Sequence, residues 1–364
     1  MIETPKEHRL AVVLFNLGGP DRLEAVRPFL FNLFNDKAII GAPAPVRRLL
    51  AEFISRRRAP LARAIYREIG GGSPLLERTR QQAAALERRL SEQNPGGVVR
   101  VFVCMRYWHP MSAEVASEVA AFAPDDIVLL PLYPQFSTTT TASSVADWQR
   151  AASDCGIGAE TRAICCYPNN PGLIAAQAAL VRNAYETARP SGRPRILFSA
   201  HGLPERVVAR GDPYAWQVEQ TVTAVVDALA IADLDHVICY QSRVGPLKWI
   251  GPDTERELEK AGRDGVPVVL VPISFVSEHS ETLVELDITY RDHALLHGVD
   301  CYVRVPAVGV AGAFIDGLAD LVGEALVERG GVGNNRLAIS SSGGRRLCPP
   351  AMSGCACSLS GSTS

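Results

Sequence analysis

Short apolar runs recur along the chain, each closed by Gly, Pro or a polar residue. They stand at 11–17, 98–105, 127–132, 163–167, 196–198, 236–240, 266–272 and 301–305. Runs without alternation predict buried strands. Between them apolar positions recur at helical spacing, as at 22–34, where Leu23, Val26, Phe29, Leu30 and Leu33 share a face. Strand–helix alternation predicts parallel sheets, and it starts afresh after Pro168-Asn169-Asn170-Pro171. The expected fold is therefore α/β, with two Rossmann-like, doubly wound halves at 1–168 and 169–330 and a cleft between them. Residues 331–364 are polar and Gly/Ser-rich, a cysteine-containing tail with little reason to fold alone.

Residues 45–67 differ in character. Val46, Leu49, Leu50, Phe53 and Ile54 form an apolar face, while Arg47, Arg48, Arg56, Arg57 and Arg58 add positive charge. Two readings fit: a greasy lip beside a pocket, resting on anionic lipid, or an amphipathic helix packed on its own domain. Composition narrows the setting. Hydrophobic residues make up 47% and charged ones 21%, which supports an ample core, and a net charge of −2 gives no bulk attraction to nucleic acid. The N-terminal apolar run is too short for a signal peptide or a membrane span, so a cytoplasmic protein with at most peripheral membrane contact is expected.

Three stretches carry candidate chemistry. At 196–204 a strand-like run ends in Ser199-Ala200-His201-Gly202, and an imidazole at that junction sits where open α/β sheets place ligand crevices. At 272–290, Ser277 is the expected N-cap, and Glu278, Glu281 and Glu285 share one helix face at spacings of three and four, with His279 beside them. Like charges so placed repel unless a cation or a shared proton relieves them. His201 with Glu281 would make an open N/O site for a borderline divalent metal. At 106–108 an arginine precedes two aromatics at a strand end, which suits an anionic aromatic ligand. Of nine cysteines, six are dispersed; Cys348, Cys355 and Cys357 crowd the tail at intervals of seven and two residues.

The motifs LFSAHGLPERVVARGDPY, QSRVGPLKWIGPDT and FVSEHSETLVELDITY, with CMRYWHP, YREIGGGSP and, more loosely, LFNLGGP, give the chain a resemblance to the ferrochelatases from about residue 12 to 327. The resemblance implies the chelatase fold around a porphyrin cleft and insertion of Fe2+ into protoporphyrin IX to form protohaem, the last step of haem biosynthesis. It implies that His201 and Glu281 are the essential, iron-handling pair, with Glu278 and Glu285 on a proton or iron path. Arg57, Arg58, Tyr66 and Arg106 match positions at the cleft mouth or propionate end, and Ser137 and Thr138 match the pocket wall. The tail cysteines look like those holding a 2Fe-2S cluster in some ferrochelatases. The resemblance implies that Thr138 stands where animal enzymes supply the fourth thiolate, so Cys165 and Cys166 are the first candidates for it here and Cys155 the next. Alternatives of the same fold are a coproporphyrin ferrochelatase or a cobalt chelatase; one of another class is a porphyrin or metal carrier without turnover.

Overall fold

The computed structural model describes residues 7–242, 247–327, 337–344 and 346–358. Residues 243–246 of the QSRVGP motif thus lie outside the described residues. In the first half, β1 (His8–Asn16), β2 (Gly97–Met105), β3 (Asp126–Pro131) and β4 (Glu160–Ile164) pair in parallel in the order β2-β1-β3-β4. In the second, β5 (Arg195–His201), β6 (His236–Gln241), β7 (Val268–Pro272) and β8 (Tyr302–Arg304) pair in parallel in the order β6-β5-β7-β8. Each sheet thus carries its first strand between its second and third. The winding reverses beside that strand, and open α/β sheets bind ligands at the carboxyl edge there.

The intervening segments form α1 (Val26–Phe34), α2 (Ala44–Glu68), α3 (Leu75–Gln93), α4 (Ser112–Phe122) and α5 (Thr141–Asp154) around the first sheet, then α6 (Pro171–Ala188). Around the second run α7 (Glu205–Val208), α8 (Tyr214–Leu229), α9 (Thr254–Asp264), α10 (Tyr290–Leu296) and α11 (Gly312–Val327). The central strands are buried along their apolar runs, as strands covered on both faces are. α6 is apolar on two sides. Leu173 and Ala176 join the core under β1 and β3, while Ile174, Ala178 and Val181 join the core under β5 and β7. α11 follows the last strand of the second half yet packs Phe314, Ile315 and Leu318 into the first core, against α3 and α6. There Gly172 and Gly317 meet backbone to backbone, and Asn170 Nδ2 donates to Gly317 O at 3.2 Å.

Two expectations need correction. The tail does fold where it is described: β9 (Ala338–Ser340) adds a fifth, parallel strand beside β4. The edge of β4 would otherwise present unpaired N–H and C=O groups; Cys165 N donates to Ser340 O and Ser342 N to Cys166 O. The helix expected from Ser277 begins later, as a π-helix at Glu281–Thr289 that runs into α10. Ser277 does not cap it. Its hydroxyl donates to Gln82 Oε1 of α3 at 2.7 Å, and Gln82 Nε2 donates to Val276 O and Gly309 O.

The α6–α11 crossing has no room for a side chain, since a Cβ on Gly172 would lie 2.1 Å from Ala313 O. Gly172→Ala is expected to lower the unfolding free energy by about 1–3 kcal/mol, the usual cost of overpacking. Urea denaturation checks this.

Candidate active site

His201 is the last residue of β5, and Glu281 opens the π-helix that follows β7, the neighbouring strand. Pairing of Arg195–Ser199 with Val268–Pro272 therefore brings both to one carboxyl edge, at the switch point. His201 Nε2 lies 3.9 Å from Glu281 Oε1, with side-chain exposures of 38% and 28%. His201 Nδ1 sits 2.7 Å from Gly202 O. A carbonyl only accepts, so Nδ1 carries a proton, and Nε2 is the ring nitrogen that faces the carboxylate. His279 Nε2 lies 3.7 Å from Glu281 Oε2, and that buried oxygen has no hydrogen-bond partner among the described residues.

Burial alone would push the Glu281 carboxyl up; the imidazoles of His201 and His279 outweigh it and hold the pKa at about 2. Glu285, one turn on, goes the other way. Burial raises it, and the charge on Glu281 raises it further. Three donors still hold it: Ser242 N at 2.9 Å and Ser242 Oγ at 2.6 Å, and Tyr290 OH at 2.9 Å. Two carboxyls on one helix whose environments push them apart are the arrangement in which one binds a cation and the other takes a proton. π-helical turns are rare and recur at functional sites; here one carries both Glu281 and Glu285.

Tyr66, from α2, brings the first half to the same place. It is buried, its hydroxyl accepts from Ser280 Oγ at 3.4 Å, and burial and then Glu281 push its pKa up to about 12. Arg57 and Arg58 lie farther back on α2; Arg57 is exposed, and the Arg58 guanidinium stands 5.6 Å over the Phe34 ring.

The structure does not bring every expected residue into this group. Glu278 lies before the π-helix and is spent on Arg304 of β8: Oε1 accepts from Nη1 at 2.6 Å and from Ala307 N at 2.9 Å. It is thus not free to share a path with Glu281, because a half-buried guanidinium claims it and holds its pKa down against burial. The same Arg304 forks onto Asp287 inside the π-helix at 2.7 and 2.5 Å. Arg106 is also engaged within the protein. Its Nη2 donates to Asp36 at 2.9 Å, its Nε to Ser143 Oγ at 2.8 Å, and Nη1 lies 3.6 Å from Asp147. Only 16% of that side chain is exposed, so it is engaged by its own carboxylates rather than standing open to a ligand carboxylate. Ser137 and Thr138 donate to Asp212 Oδ2 at 3.0 and 2.6 Å. They tie the loop after β3 to the segment that precedes α8.

Ser242, Tyr290 and Arg304 were not singled out by the sequence. Ser242 could have been, because it directly follows β6 at the same carboxyl edge. Arg304 could not: its partners are reached only through the packing of β8 against the π-helix.

The tail cysteines form a second cluster. Cys348, Cys355 and Cys357 are buried with Cys165, Cys166 and Phe136. Cys165 Sγ lies 3.1 Å from Cys357 Sγ and 3.5 Å from Cys166 Sγ, and Gln217 Nε2 donates to Cys348 Sγ at 3.1 Å. Cys155 is elsewhere, packed at the end of α5 with Ser117.

Arg304→Met would leave Glu278 and Asp287 half-buried without a counter-charge. It is expected to cost about 3 kcal/mol of stability, at the low end for a broken buried pair because Asp287 is partly exposed; thermal unfolding at neutral pH measures it.

Comparison with known proteins shows the family of the chain. The Ferrochelatase family model matches residues 9–326. The ferrochelatase of Wolbachia sp. subsp. Drosophila simulans (strain wRi) is 56% identical over 311 residues, 85% of this chain and 98% of that one. The ferrochelatase of Phenylobacterium zucineum (strain HLK1) is 53% identical over 349 residues, 96% of this chain and 98% of that one. Among solved structures, SirB from Bacillus subtilis with Fe3+ superposes with a TM-score of 0.50 at 11% identity, covering 88% of this chain and 96% of that one, a likeness of fold alone. With a family match over most of its length and relatives more than half identical, the chain belongs to the ferrochelatase family.

Proposed function

We infer that this chain is the enzyme that inserts Fe2+ into protoporphyrin IX to give protohaem, closing haem biosynthesis. The observation that carries the reading is the meeting of His201 Nε2 and Glu281 at 3.9 Å on separate βα turns, in a chain of this family. A free-base porphyrin loses two pyrrole protons as the metal enters, so the site must accept protons and hold a dication stripped of water. His201, its Nδ1–H fixed on Gly202 O, presents Nε2 to the site, the nitrogen that serves as base for a pyrrole N–H whenever it is free of its own proton. Glu281, ionised and with one oxygen unpartnered, is the carboxylate suited to the incoming ferrous ion. Glu285, held by Ser242 and Tyr290 and disposed to protonation, takes protons onward. Only one role at a time is open to each group: a protonated imidazole cannot also ligate iron.

α2 supplies the other wall. Tyr66 sits at the site, and Arg57 and Arg58 are the guanidiniums left for the porphyrin carboxylates once Arg106 is paired with Asp36. Along the same helix Leu49, Phe53 and Leu61 are 73%, 63% and 66% exposed, beside Arg48 and Arg56. This greasy, basic face suits a membrane surface from which an apolar porphyrin is drawn. Among the described residues no helix is long and apolar enough to cross a membrane. The two sheets, joined through α6, are the two walls of this cleft, and we assign the halves and tail the boundaries expected from the sequence.

The cysteine pocket fits a 2Fe-2S cluster. Cys165 and Cys348 are pushed up by their thiol neighbours and burial, while Cys348 and Cys357 hold Cys355 down at about 2. So many buried sulfurs cannot all ionise unless a cationic centre shares them. Cys348, Cys355 and Cys357 would hold the cluster with Cys165 as the fourth ligand, the one whose sulfur already lies 3.1 Å from Cys357. Bound there, the cluster would cross-link the tail to the body of the protein.

Anaerobic steady-state assays with Fe2+ and protoporphyrin are expected to show turnover, with coproporphyrin the poorer substrate. His201→Ala and Glu281→Gln should each lower kcat by about a hundredfold or more with unfolding midpoints unchanged; near-normal turnover in either removes the assignment. Protein purified without oxygen should absorb in the visible. Truncation at Arg346 and Cys165→Ser should bleach it, while Cys166→Ser should not. Colourless full-length protein without acid-labile sulfide contradicts the cluster.

A further inference from the structure

On the outer face of the second half, Glu259 of α9 stands beside His293 and His297 at the end of α10. One ligand atom from each lies within 4.8 Å of the others. His293 and His297 are four apart, the spacing that puts two imidazoles on one helical face. Their rings are 4.2 Å apart, and His293 Nε2 lies 3.5 Å from Glu259 Oε1.

Two details go beyond proximity. His293 Nε2 is buried and has no hydrogen-bond partner among the described residues, which is costly for a ring nitrogen unless something outside the chain fills the place. His297 Nδ1 lies 2.8 Å from His293 O, so its proton is given to a backbone carbonyl and its Nε2 keeps the lone pair. A ring nitrogen donated to a carbonyl while the other stays free is how metal-bound histidines are oriented. Competition for Glu259 is weak: Arg263 approaches its other oxygen at 4.0 Å and is largely exposed.

We propose that Glu259, His293 and His297 form a binding site for a borderline divalent cation, zinc above all, separate from the site that handles the iron substrate. Two imidazoles and one carboxylate are a ligand set matched to zinc. Tetrahedral bonds of about 2.1 Å bring ligands to about 3.4 Å from one another, so the three side chains need only close inward. The ion would pin α10 to α9. α10 continues the π-helix, so this cation fastens the far end of the element that carries Glu281 and Glu285.

The test is equilibrium dialysis of the full-length protein against chelator-buffered Zn2+. The cysteine pocket and His201 also attract zinc, so the quantity read is a difference between variants. The double variant His293→Ala/His297→Ala is expected to bind one equivalent fewer than the unaltered chain, and Glu259→Gln to keep that equivalent with lower affinity. Equal stoichiometry in the unaltered chain and the double variant overturns the site. Iron insertion by the double variant should stay within about twofold of the unaltered chain. A loss as deep as that of His201→Ala would place these imidazoles on the path of the substrate metal and overturn the separation of the two sites.

Discussion

Glu281 is a mostly buried carboxylate that stays ionised because two imidazoles flank it, and the rest of the site follows from keeping it so. Desolvation opposes the charge, and His201 and His279 outweigh it. The imidazoles come from different segments, one ending β5 and one just ahead of the π-helix, so the pairing of β5 with β7 must be in register before the charge can be tolerated. A slip by one residue would turn His201 to the opposite face of the sheet. The same charge then acts outward. It raises Glu285 and Tyr66, which favours the protonated form of the one and keeps the other a neutral phenol.

Around this point the chain is tied to itself from both halves. Gln82 of α3 grips the backbone at Val276 and Gly309, on either side of the π-helix, and Arg304 clasps it through Glu278 and Asp287. The tail completes the enclosure. Gly354 N donates to Gly211 O and Ser353 Oγ to Arg210 O, in the loop that follows His201. Next to it Asp212 holds Ser137 and Thr138 of the first half. The cysteine pocket and the His201–Glu281 pair are therefore linked through one short stretch of backbone, residues 202–213.

The strands were legible because a strand covered on both faces reads as an unbroken apolar run, and every such run used here became one except where its ends frayed. His201 was legible because it closes such a run. What the sequence hid has physical causes. A π-turn has no periodicity of its own over nine residues, so Glu278, Glu281 and Glu285 looked like one α-helical face when Glu278 in fact lies outside the helix. Arg106 reads as an open cation until Asp36 and Asp147, remote in sequence, are found against it. β9 has too few apolar residues to be seen as a strand and is stabilised by the edge of β4. Cys155 and Cys165 are alike in sequence; only the fold brings Cys165 to the tail sulfurs and leaves Cys155 behind.

The account turns on a metal ion meeting Glu281 and His201 at the carboxyl edge of β5 and β7. An anomalous-scattering crystal structure of the full-length protein soaked anaerobically in Co2+, as a stand-in for Fe2+, tests this most directly. The account predicts a peak within bonding distance of Glu281 Oε2 or His201 Nε2. Cobalt bound only at other residues, with those two side chains unliganded, would contradict it.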